Sequence, residues 1–307
     1  MPTALIRHRD CLLHDMGQHH PEGPDRLHAI EDQLIASGLA GYLDGHDAPL
    51  AGRDHLARVH APEYLDALEA AVPVRGLAHL DPDTAMNPHT LRAALRAAGA
   101  AVMATDLVLE GRARNAFCCV RPPGHHAERR RAMGFCFYNN VAVAAAHALE
   151  QHGLARVAVV DFDVHHGNGT EDIFRGDRRV MMVSTFQHPF YPYSGIDGRS
   201  ERMVNIPLAA YSDGARFRAA VETWWLPALE AFRPQMLFVS AGFDAHREDD
   251  MASLSLVEAD YAWVTQQIKV VAERHAQGRV VSMLEGGYNL SALGRSVVAH
   301  LRVLADL

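Results

Sequence analysis

The sequence is poor in lysine and cysteine and lacks long apolar runs, and these shortages exclude several protein classes. Lys269 is the only lysine, which we interpret as compositional bias rather than function. No Cys-x-x-Cys pair occurs among the four cysteines, so neither a disulfide framework nor a cysteine-ligated zinc site is indicated. No apolar run approaches about 18 residues, and we therefore expect no membrane span. Charges interrupt the first ten residues, unlike a signal peptide, so we predict a cytoplasmic location.

Length, charge and composition limit the number of domains and the kinds of partner. The net charge of −8 argues against non-specific binding to nucleic acid. The chain has 307 residues, of which 49% are hydrophobic, enough for one large α/β domain or two small ones. No linker-like segment divides the chain, and no heptad repeat indicates a coiled coil between subunits. We therefore predict a single domain over residues 1–307 and make no prediction of oligomeric state.

Apolar runs alternate with helical patterns along most of the chain. This alternation predicts an α/β fold in which helices cover both faces of a parallel sheet. The predicted strands are 117–120, 157–160, 180–183, 237–240 and 280–284. The predicted helices are 62–70, 90–109, 141–151, 215–230 and 258–276. Polar or glycine-rich loops follow four of the strands, and such loops bind ligands at the carboxyl edge of open α/β sheets.

The segment after the strand at 157–160 predicts a metal site. If the chain stays extended, Asp161, Asp163 and His165 share one face, because side chains alternate along a strand. With Asp244 from another loop, Asp163 and His165 can supply three ligands and leave a position open for water or substrate. Zinc is the expected metal, although this oxygen-rich set also accepts Fe(II).

Three further side chains suit the hydrolysis of an amide by a metal-activated water. His125 and His126 follow a rigid Pro-Pro-Gly segment, and imidazole can act both as a base and as an acid near neutral pH. Asp161 or Asn168 can orient these rings. Tyr288 follows two glycines and can donate a hydrogen bond to a developing oxyanion.

Five motifs resemble those of the zinc-dependent histone deacetylase family. The resemblance spans residues 14–300 and is greatest to the class II branch and its bacterial deacetylase-like amidohydrolases. It implies the arginase–deacetylase fold, in which a central, mainly parallel, eight-stranded sheet lies between helical layers (a three-layer αβα arrangement). The motifs are Arg-Pro-Pro-Gly-His-His-Ala-Glu (121–128), Gly-Phe-Cys-Phe-Tyr-Asn-Asn (134–140), Asp-Phe-Asp-Val-His-His-Gly-Asn-Gly-Thr (161–170), Ser-Ala-Gly-Phe-Asp-Ala (240–245) and Leu-Glu-Gly-Gly-Tyr-Asn (284–289).

The resemblance also implies roles for individual residues. The zinc ligands would be Asp163, His165 and Asp244. His126 would be the general base and the acid for the leaving amine, and His125 would be an electrostatic partner oriented by Asp161. Tyr288 would polarise the acetyl carbonyl. The remaining implied positions are the carbonyl of Gly134 for the substrate amide, Phe135 and Tyr191 as walls of the acyl-lysine channel, and Asp161, Asp163, His165, Ser184 and Thr185 as a structural potassium site.

Two positions differ from those of other branches of the family, and they affect the expected basicity of His126 and the expected substrate. Asn168 stands where class I members carry Asp, so it accepts a hydrogen bond from His126 but adds no charge, and the base should be less basic. Met251 aligns with the glutamate that selects polyamines in the eukaryotic polyamine enzymes. The missing carboxylate favours acyl-lysine over acetylpolyamine, because a cationic polyamine needs a nearby acid. Asp249 and Asp250 are expected to cap a loop, and Asp81 and Asp83 are expected to lie near the channel rim as a loop-capping pair.

Other interpretations remain open at this point. The substrate can be acetylated lysine in a protein or peptide, or a small acetylated amine. A non-catalytic acyl-lysine-binding scaffold is a second class of function, although a binder has no need of the donor at Tyr288. An arginase-like dimetal hydrolase is a third, but it requires a second set of Asp and His ligands.

Overall fold

The computed structural model describes residues 1–196 and 200–307 and has a single large parallel sheet at its centre. Its strand order is β2-β1-β5-β10-β9-β6-β7-β8, and every neighbouring pair is parallel. The strands β3 and β4 form a separate antiparallel pair. The strands are β1 (Thr3–Arg7), β2 (Leu43–Asp47), β3 (Ala78–His79), β4 (Ala85–Met86), β5 (Asn115–Cys118), β6 (Val157–Asp161), β7 (Val180–Gln187), β8 (Met203–Leu208), β9 (Leu237–Ala241) and β10 (Val280–Leu284).

Helices cover the sheet on both sides, which confirms the predicted three-layer αβα fold. Helices α4 and α5 pack together against the central strands, and α1, α10 and α9 pack side by side as the other layer. Across the described residues, no helix combines the length and apolarity needed to cross a membrane. The helices are α1 (Asp25–Ala36), α2 (Arg53–Ala57), α3 (Pro62–Ala71), α4 (Thr90–Leu109), α5 (Asn140–Glu150), α6 (Asn168–Phe174), α7 (Gly214–Ala220), α8 (Leu226–Phe232), α9 (Glu258–His275) and α10 (Leu290–Leu304).

The central strands are buried along their whole length. Every residue of β6, β7, β9 and β10 is buried, as expected for parallel strands covered on both faces. The edge strand β2 is different, since it exposes polar and charged side chains that discourage pairing with another chain. The apolar runs in the sequence therefore mark the centre of the sheet but not its edges.

Several element boundaries differ from the prediction. The strand predicted at 117–120 lies at Asn115–Cys118, and the pattern did not reveal β1, β2, β8, α1 or α10. The helix predicted at 215–230 is α7 and α8 joined by a turn of π-helix at Val221–Trp225. Pro227 follows this turn, and its missing N–H and its ring are incompatible with a regular α-helical bond there.

The sheet order explains why four polar loops meet. Strands β5, β10, β9 and β6 are consecutive neighbours in the sheet, and all are parallel. Their carboxyl ends therefore lie side by side at one edge. The loops that begin at residues 119, 162, 242 and 285 leave the sheet at this edge, as the sequence predicted.

Candidate active site

Asp163, His165 and Asp244 converge at this edge of the sheet. Their ligand atoms lie within 4.8 Å of one another, and all three side chains are buried. Nδ1 of His165 lies 3.0 Å from Oδ1 of Asp163 and 3.2 Å from Oδ2 of Asp244. Backbone N–H groups hold both carboxylates, since Gly286 donates to Asp163 (2.9 Å) and Val164 donates to Asp244 (2.9 Å). The three predicted ligands thus form one group.

The predicted reason for this convergence was wrong. Strand β6 ends at Asp161, so strand alternation does not carry the three side chains onto one face. Instead, the side chains of Asp161 and Asp163 each hold a local turn of the backbone. The N–H of Asp163 donates to Asp161 Oδ1 (3.1 Å), and the N–H of His165 donates to Asp163 Oδ1 (2.8 Å). These are local Asx-type turns, which Asp forms readily outside regular structure.

The ligand group fits a divalent metal ion. Asp244 Oδ2 is a buried oxygen that, among the described residues, has no hydrogen-bond partner, although a buried carboxylate oxygen normally requires one. The space beside it is kept open by Gly286, because a Cβ there would lie 2.0 Å from Asp244 Oδ2 and 2.6 Å from Asp163 Oδ2. Two carboxylates and one imidazole are a donor set that zinc accepts.

The tandem histidines lie beside the ligand group and have different partners. His125 donates through Nδ1 to Oδ2 of Asp161 at 3.0 Å, and His126 Nδ1 is hydrogen-bonded to Oδ1 of Asn168 at 2.8 Å. The ring centroids of His126 and His165 are 5.8 Å apart. One imidazole is thus paired with a carboxylate and the other with an amide.

The surroundings of the two histidines shift their pKa values in opposite directions. Burial lowers the pKa of each imidazole. For His125 the charges of Asp163 and Asp161 outweigh burial and raise the pKa well above its usual value. For His126, burial together with the charges of His125 and His165 holds the pKa well below its usual value. At neutral pH His126 is therefore a neutral imidazole that can accept a proton.

Glu285 is a buried supporting residue of the site for which the sequence suggested no role. Its side chain is fully buried, and its Oε2 accepts hydrogen bonds from the N–H groups of Gly124 (2.7 Å) and His125 (3.1 Å). Its Oε1 accepts a hydrogen bond from Ser240 Oγ at 3.1 Å. Glu285 thus fixes the backbone that carries the histidine pair. The motif at 284–289 contained this residue, but its partners are distant in sequence.

The loop that carries Tyr288 is held from two sides. Arg26 donates to the carbonyls of Gly287 (2.6 Å) and Glu285, and its guanidinium lies 5.0 Å from the centre of the Tyr288 ring. Asp249 accepts hydrogen bonds from the backbone N–H groups of Tyr288 (2.6 Å) and Asn289 (2.9 Å). Burial raises the pKa of the Tyr288 phenol well above its usual value, so the group remains a hydrogen-bond donor.

Arg26 belongs to a buried ion-pair network that sequence reasoning missed. Glu22 pairs with Arg26 at 3.1 Å and with both Nε and Nη2 of Arg121, and all three side chains are buried. Arg121 also donates to the carbonyls of Cys11 (2.8 Å) and His14 (3.1 Å). Through Glu22 and Arg26, this network ties the start of α1 to the loop that carries Tyr288.

Aromatic rings surround the space in front of the histidines. Tyr191 packs edge-on against His126, with ring centroids 5.4 Å apart, and Phe135 packs edge-on against Tyr288 at 5.9 Å. Phe135 has a φ of 68°, and its N–H is held by Thr84 Oγ1 at 3.0 Å. Gly134 must be a glycine, because a Cβ there would lie 2.4 Å from the ring of His126.

The acidic residues near the rim are largely occupied by loop backbone. Asp249 holds Tyr288 and also accepts from the N–H of Met251 (3.0 Å), whereas Asp250 is exposed. Asp81 Oδ1 accepts from the N–H groups of Asp83 (3.0 Å) and Thr84 (2.6 Å), which makes it a turn cap. Met251 itself is partly buried, and its side chain offers no carboxylate at this place.

Of the five residues expected to bind potassium, Asp161, Ser184 and Thr185 lie on neighbouring strands, and the other two follow β6 in its loop. Asp161 on β6 is directly opposite Ser184 on β7, and Thr185 follows it. Both side chains on β7 are buried. Ser184 Oγ has no hydrogen-bond partner in the part of the chain that the structure describes. A buried hydroxyl of this kind suits a bound cation or water.

A second group of potential metal ligands lies outside the site, where Asp106, His147 and His152 meet beside α4 and α5. Nε2 of each histidine lies 2.7 Å from Asp106 Oδ1. Nδ1 of His147, however, accepts a hydrogen bond from Arg58 Nη1 at 2.8 Å. A metal-bound imidazole carries a proton on its other nitrogen, which this guanidinium opposes. We interpret the group as a hydrogen-bond cluster.

Comparisons with known proteins agree with this fold. A model of the histone deacetylase domain matches residues 20–304. The histone deacetylase-like amidohydrolase of Pseudomonas aeruginosa is 37% identical over 311 residues, which cover 94% of this chain and 82% of that protein. The polyamine deacetylase HDAC10 of Homo sapiens is 38% identical over 99% of this chain and 48% of its own. The crystal structure of the HDA15 HD domain is 34% identical, with a TM-score of 0.92 over 99% of this chain and 88% of that domain.

Proposed function

Because the chain belongs to the histone deacetylase family, we propose that this amidohydrolase cleaves the acetyl amide of N-ε-acetyl-lysine and releases acetate and lysine. The observation that carries the proposal is the hydrogen bonding of His125 Nδ1 to Asp161 (3.0 Å) and of His126 Nδ1 to Asn168 (2.8 Å), directly beside the ligand group. The charges of Asp163 and Asp161 raise the pKa of His125, whereas burial and the neighbouring His125 and His165 lower the pKa of His126. Neither a binding scaffold nor a buried ion-pair network requires one protonated and one unprotonated imidazole side by side.

We propose that Asp163, His165 and Asp244 hold zinc; Fe(II) is the alternative that the same donors accept. When bound, the metal supplies a Lewis acid that polarises the acetyl carbonyl and lowers the pKa of water. The buried Oδ2 of Asp244 supports this assignment, because Nδ1 of His165, 3.2 Å away, is itself a potential ligand and a cation would satisfy both atoms.

The protein side chains carry the proton transfers. His126 takes a proton from the attacking water through Nε2, since its Nδ1 is occupied by Asn168. His125 stays protonated beside Asp161 and stabilises negative charge as it develops. Tyr288 donates a hydrogen bond to the oxyanion of the tetrahedral carbon. His126 then returns its proton to the leaving amine.

The substrate stem lies between Phe135 and Tyr191, and the carbonyl of Gly134 accepts the hydrogen bond of the scissile amide N–H. Met251 lies at the position where polyamine enzymes carry a selecting glutamate, and Asp249 is engaged by the Tyr288 loop. Met251 therefore offers a cationic polyamine no carboxylate, and Asp249 is occupied by backbone N–H groups, which favours acetyl-lysine. Acetylpolyamine is the second candidate, because a relative named as a polyamine deacetylase is 38% identical.

Two structural proposals accompany the chemistry. Asp161, Ser184 and Thr185, with Asp163 and His165, form a structural potassium site; the buried, unpartnered Ser184 Oγ supports it. Residues 1–307 form a single catalytic domain, and one continuous hydrophobic core from Ala4 to Leu304 supports that assignment.

Side-by-side kinetics on two substrates test the proposal. We expect zinc-loaded protein to have a higher kcat/KM on an acetyl-lysine peptide than on acetylspermidine, and Tyr288→Phe to lose turnover on both. A higher value for acetylspermidine would replace lysine by polyamine as the substrate class. Peptide binding without turnover in the zinc-loaded protein would instead indicate the non-catalytic acyl-lysine binder.

A further inference from the structure

The side-chain amide of Asn168 is fully engaged, with its two ends facing different partners. Its Oδ1 lies 2.8 Å from Nδ1 of His126. Its Nδ2 donates to Oε1 of Glu128 at 2.7 Å and to the sulfur of Met133 at 3.3 Å. Because the oxygen and nitrogen ends of an amide have opposite hydrogen-bonding character, which end faces His126 determines which imidazole nitrogen carries the proton.

We propose that Glu128 is a positioning residue that sets the tautomer of His126 through Asn168. The effect of Glu128 on the tautomer depends on hydrogen bonds alone. Its catalytic consequence rests on the proposed function, in which His126 is the base.

The hydrogen-bond donors and acceptors of Glu128 and Asn168 determine which tautomer of His126 is favoured. An ionised carboxylate only accepts hydrogen bonds, so Glu128 requires the NH2 end of Asn168. The amide oxygen must then face His126, and Nδ1 of His126 must carry the proton. This leaves the lone pair on Nε2, where a base needs it.

The reversed amide is disfavoured on both sides. Its oxygen would face the Glu128 carboxylate, and two acceptors would meet with no proton between them. Its N–H would face Nδ1 of His126, which would then have to accept and leave the proton on Nε2. A hydrogen bond to a charged group shifts such an equilibrium by roughly 10- to 100-fold.

Glu128 is held in place, and its charge is not neutralised. Its N–H donates to the carbonyl of Arg131 (2.9 Å), and its own carbonyl accepts from Nδ1 of His60 (3.0 Å). Within residues 1–196 and 200–307, its carboxylate makes no ion pair with an arginine or lysine. No protein cation among these residues therefore competes with Asn168 for this carboxylate.

Substitutions at Glu128 give the first test. We expect Glu128→Ala to lower kcat on the acetyl-lysine peptide by roughly fivefold or more with KM nearly unchanged, because a fraction of the molecules adopts the wrong tautomer. Glu128→Gln should be closer to wild type, since its carbonyl can still accept from Asn168. The matched control is Asp172→Asn, which removes a carboxylate that binds the same loop at Arg129 N–H (2.9 Å) but does not touch Asn168.

The same substitution in an Asn168→Asp protein distinguishes a role of Glu128 in orienting the amide from a role in supporting the loop. Aspartate at position 168 accepts from His126 through either oxygen, so Asn168→Asp needs no orienting partner and is repelled by Glu128. We expect Glu128→Ala to leave kcat unchanged or raise it in the Asn168→Asp protein, whereas it lowers kcat in the wild type. The same fractional loss in both backgrounds, or no loss in either, would overturn the proposal.

The tautomer itself can be measured without any turnover. In 15N-histidine-labelled protein, with the His126 signals identified from their absence in His126→Gln, we expect a protonated Nδ1 in the wild type. A substantial protonated Nε2 fraction should appear in Glu128→Ala and not in Asp172→Asn. An unchanged tautomer in Glu128→Ala would refute the inference even if the wild type deacetylates the peptide. An inactive wild type with the expected tautomer shift would refute the proposed function alone.

Discussion

Glu285 should make the stability of this protein depend on pH. It is a fully buried carboxyl group at the end of β10, and burial raises its pKa from 4.5 to about 7 against the opposing effects of the His125 charge and the Gly124 N–H. Glu285→Gln is the matched perturbation. Its carbonyl can accept from the N–H groups of Gly124 and His125, and its NH2 can donate to Ser240 Oγ, so the shape and most hydrogen bonds are kept.

The direction and magnitude of this pH dependence follow from the difference in the pKa of Glu285 between the folded and the unfolded protein. A carboxyl whose pKa is higher in the folded than in the unfolded protein binds its proton more tightly when folded. Its contribution to stability is complete below about pH 4.5 and is lost as the pH rises through about 7. At about 1.4 kcal/mol per pKa unit, the total is about 3 kcal/mol, most of it between pH 5 and 8.

Urea denaturation of metal-free wild type and Glu285→Gln at several pH values measures this effect. Metal-free protein is required because a bound cation would lower the pKa of the neighbouring carboxyl. The stability of the variant relative to the wild type should rise by most of this amount, more than about 2 kcal/mol, between pH 5 and 8. A difference constant to within about 0.5 kcal/mol would refute the reasoning. It would mean that Glu285 is ionised throughout and that its N–H donors and His125 offset burial completely.

Three further outcomes are expected. Tyr288→Phe should lower kcat by roughly 100- to 1,000-fold at unchanged zinc content, since one oxyanion donor is lost, and steady-state kinetics with metal analysis checks this. Asp163→Ala should lose both zinc and turnover, whereas His126→Ala should keep zinc and lose turnover; a kcat near wild type in His126→Ala would contradict its role as the base. Arg26→Met should lower the free energy of unfolding by about 3 kcal/mol, because a buried ion pair with Glu22 is broken while the second arginine partner of that carboxylate remains. An unchanged urea midpoint would contradict this.

The elements that sequence reasoning found are those with a hydrophobic signature. Strands β6, β9 and β10 are continuous apolar runs because parallel strands are covered on both faces. Strand β2 carries polar residues at an exposed edge, and β8 contains Pro207 and lies at the other edge. An edge strand needs neither full burial nor a bonded N–H on its outer side, so no such run marks it.

The candidate site was predictable in its residue types but not in its supports. The ligands and the histidine pair follow strands directly, so their meeting at one edge could be inferred from a parallel sheet. Arg26 and Glu285 could not be inferred, because their partners are distant in the chain. Arg26 reaches the carbonyl of Gly287 across 261 positions, and Glu285 reaches the N–H of Gly124 across 161.

By itself, the sequence determined the family resemblance, the three-layer α/β fold and the chemical identity of the groups at the sheet edge. It could do so because periodicity and residue type are properties of short segments. Only the tertiary structure decided the opposite pKa shifts of the two histidines, the surroundings of the Asp244 carboxylate and the orientation of the Asn168 amide. These depend on burial and on contacts between residues far apart in the chain, such as that of Asn168 with Glu128, and electrostatic free energies are set by such distances.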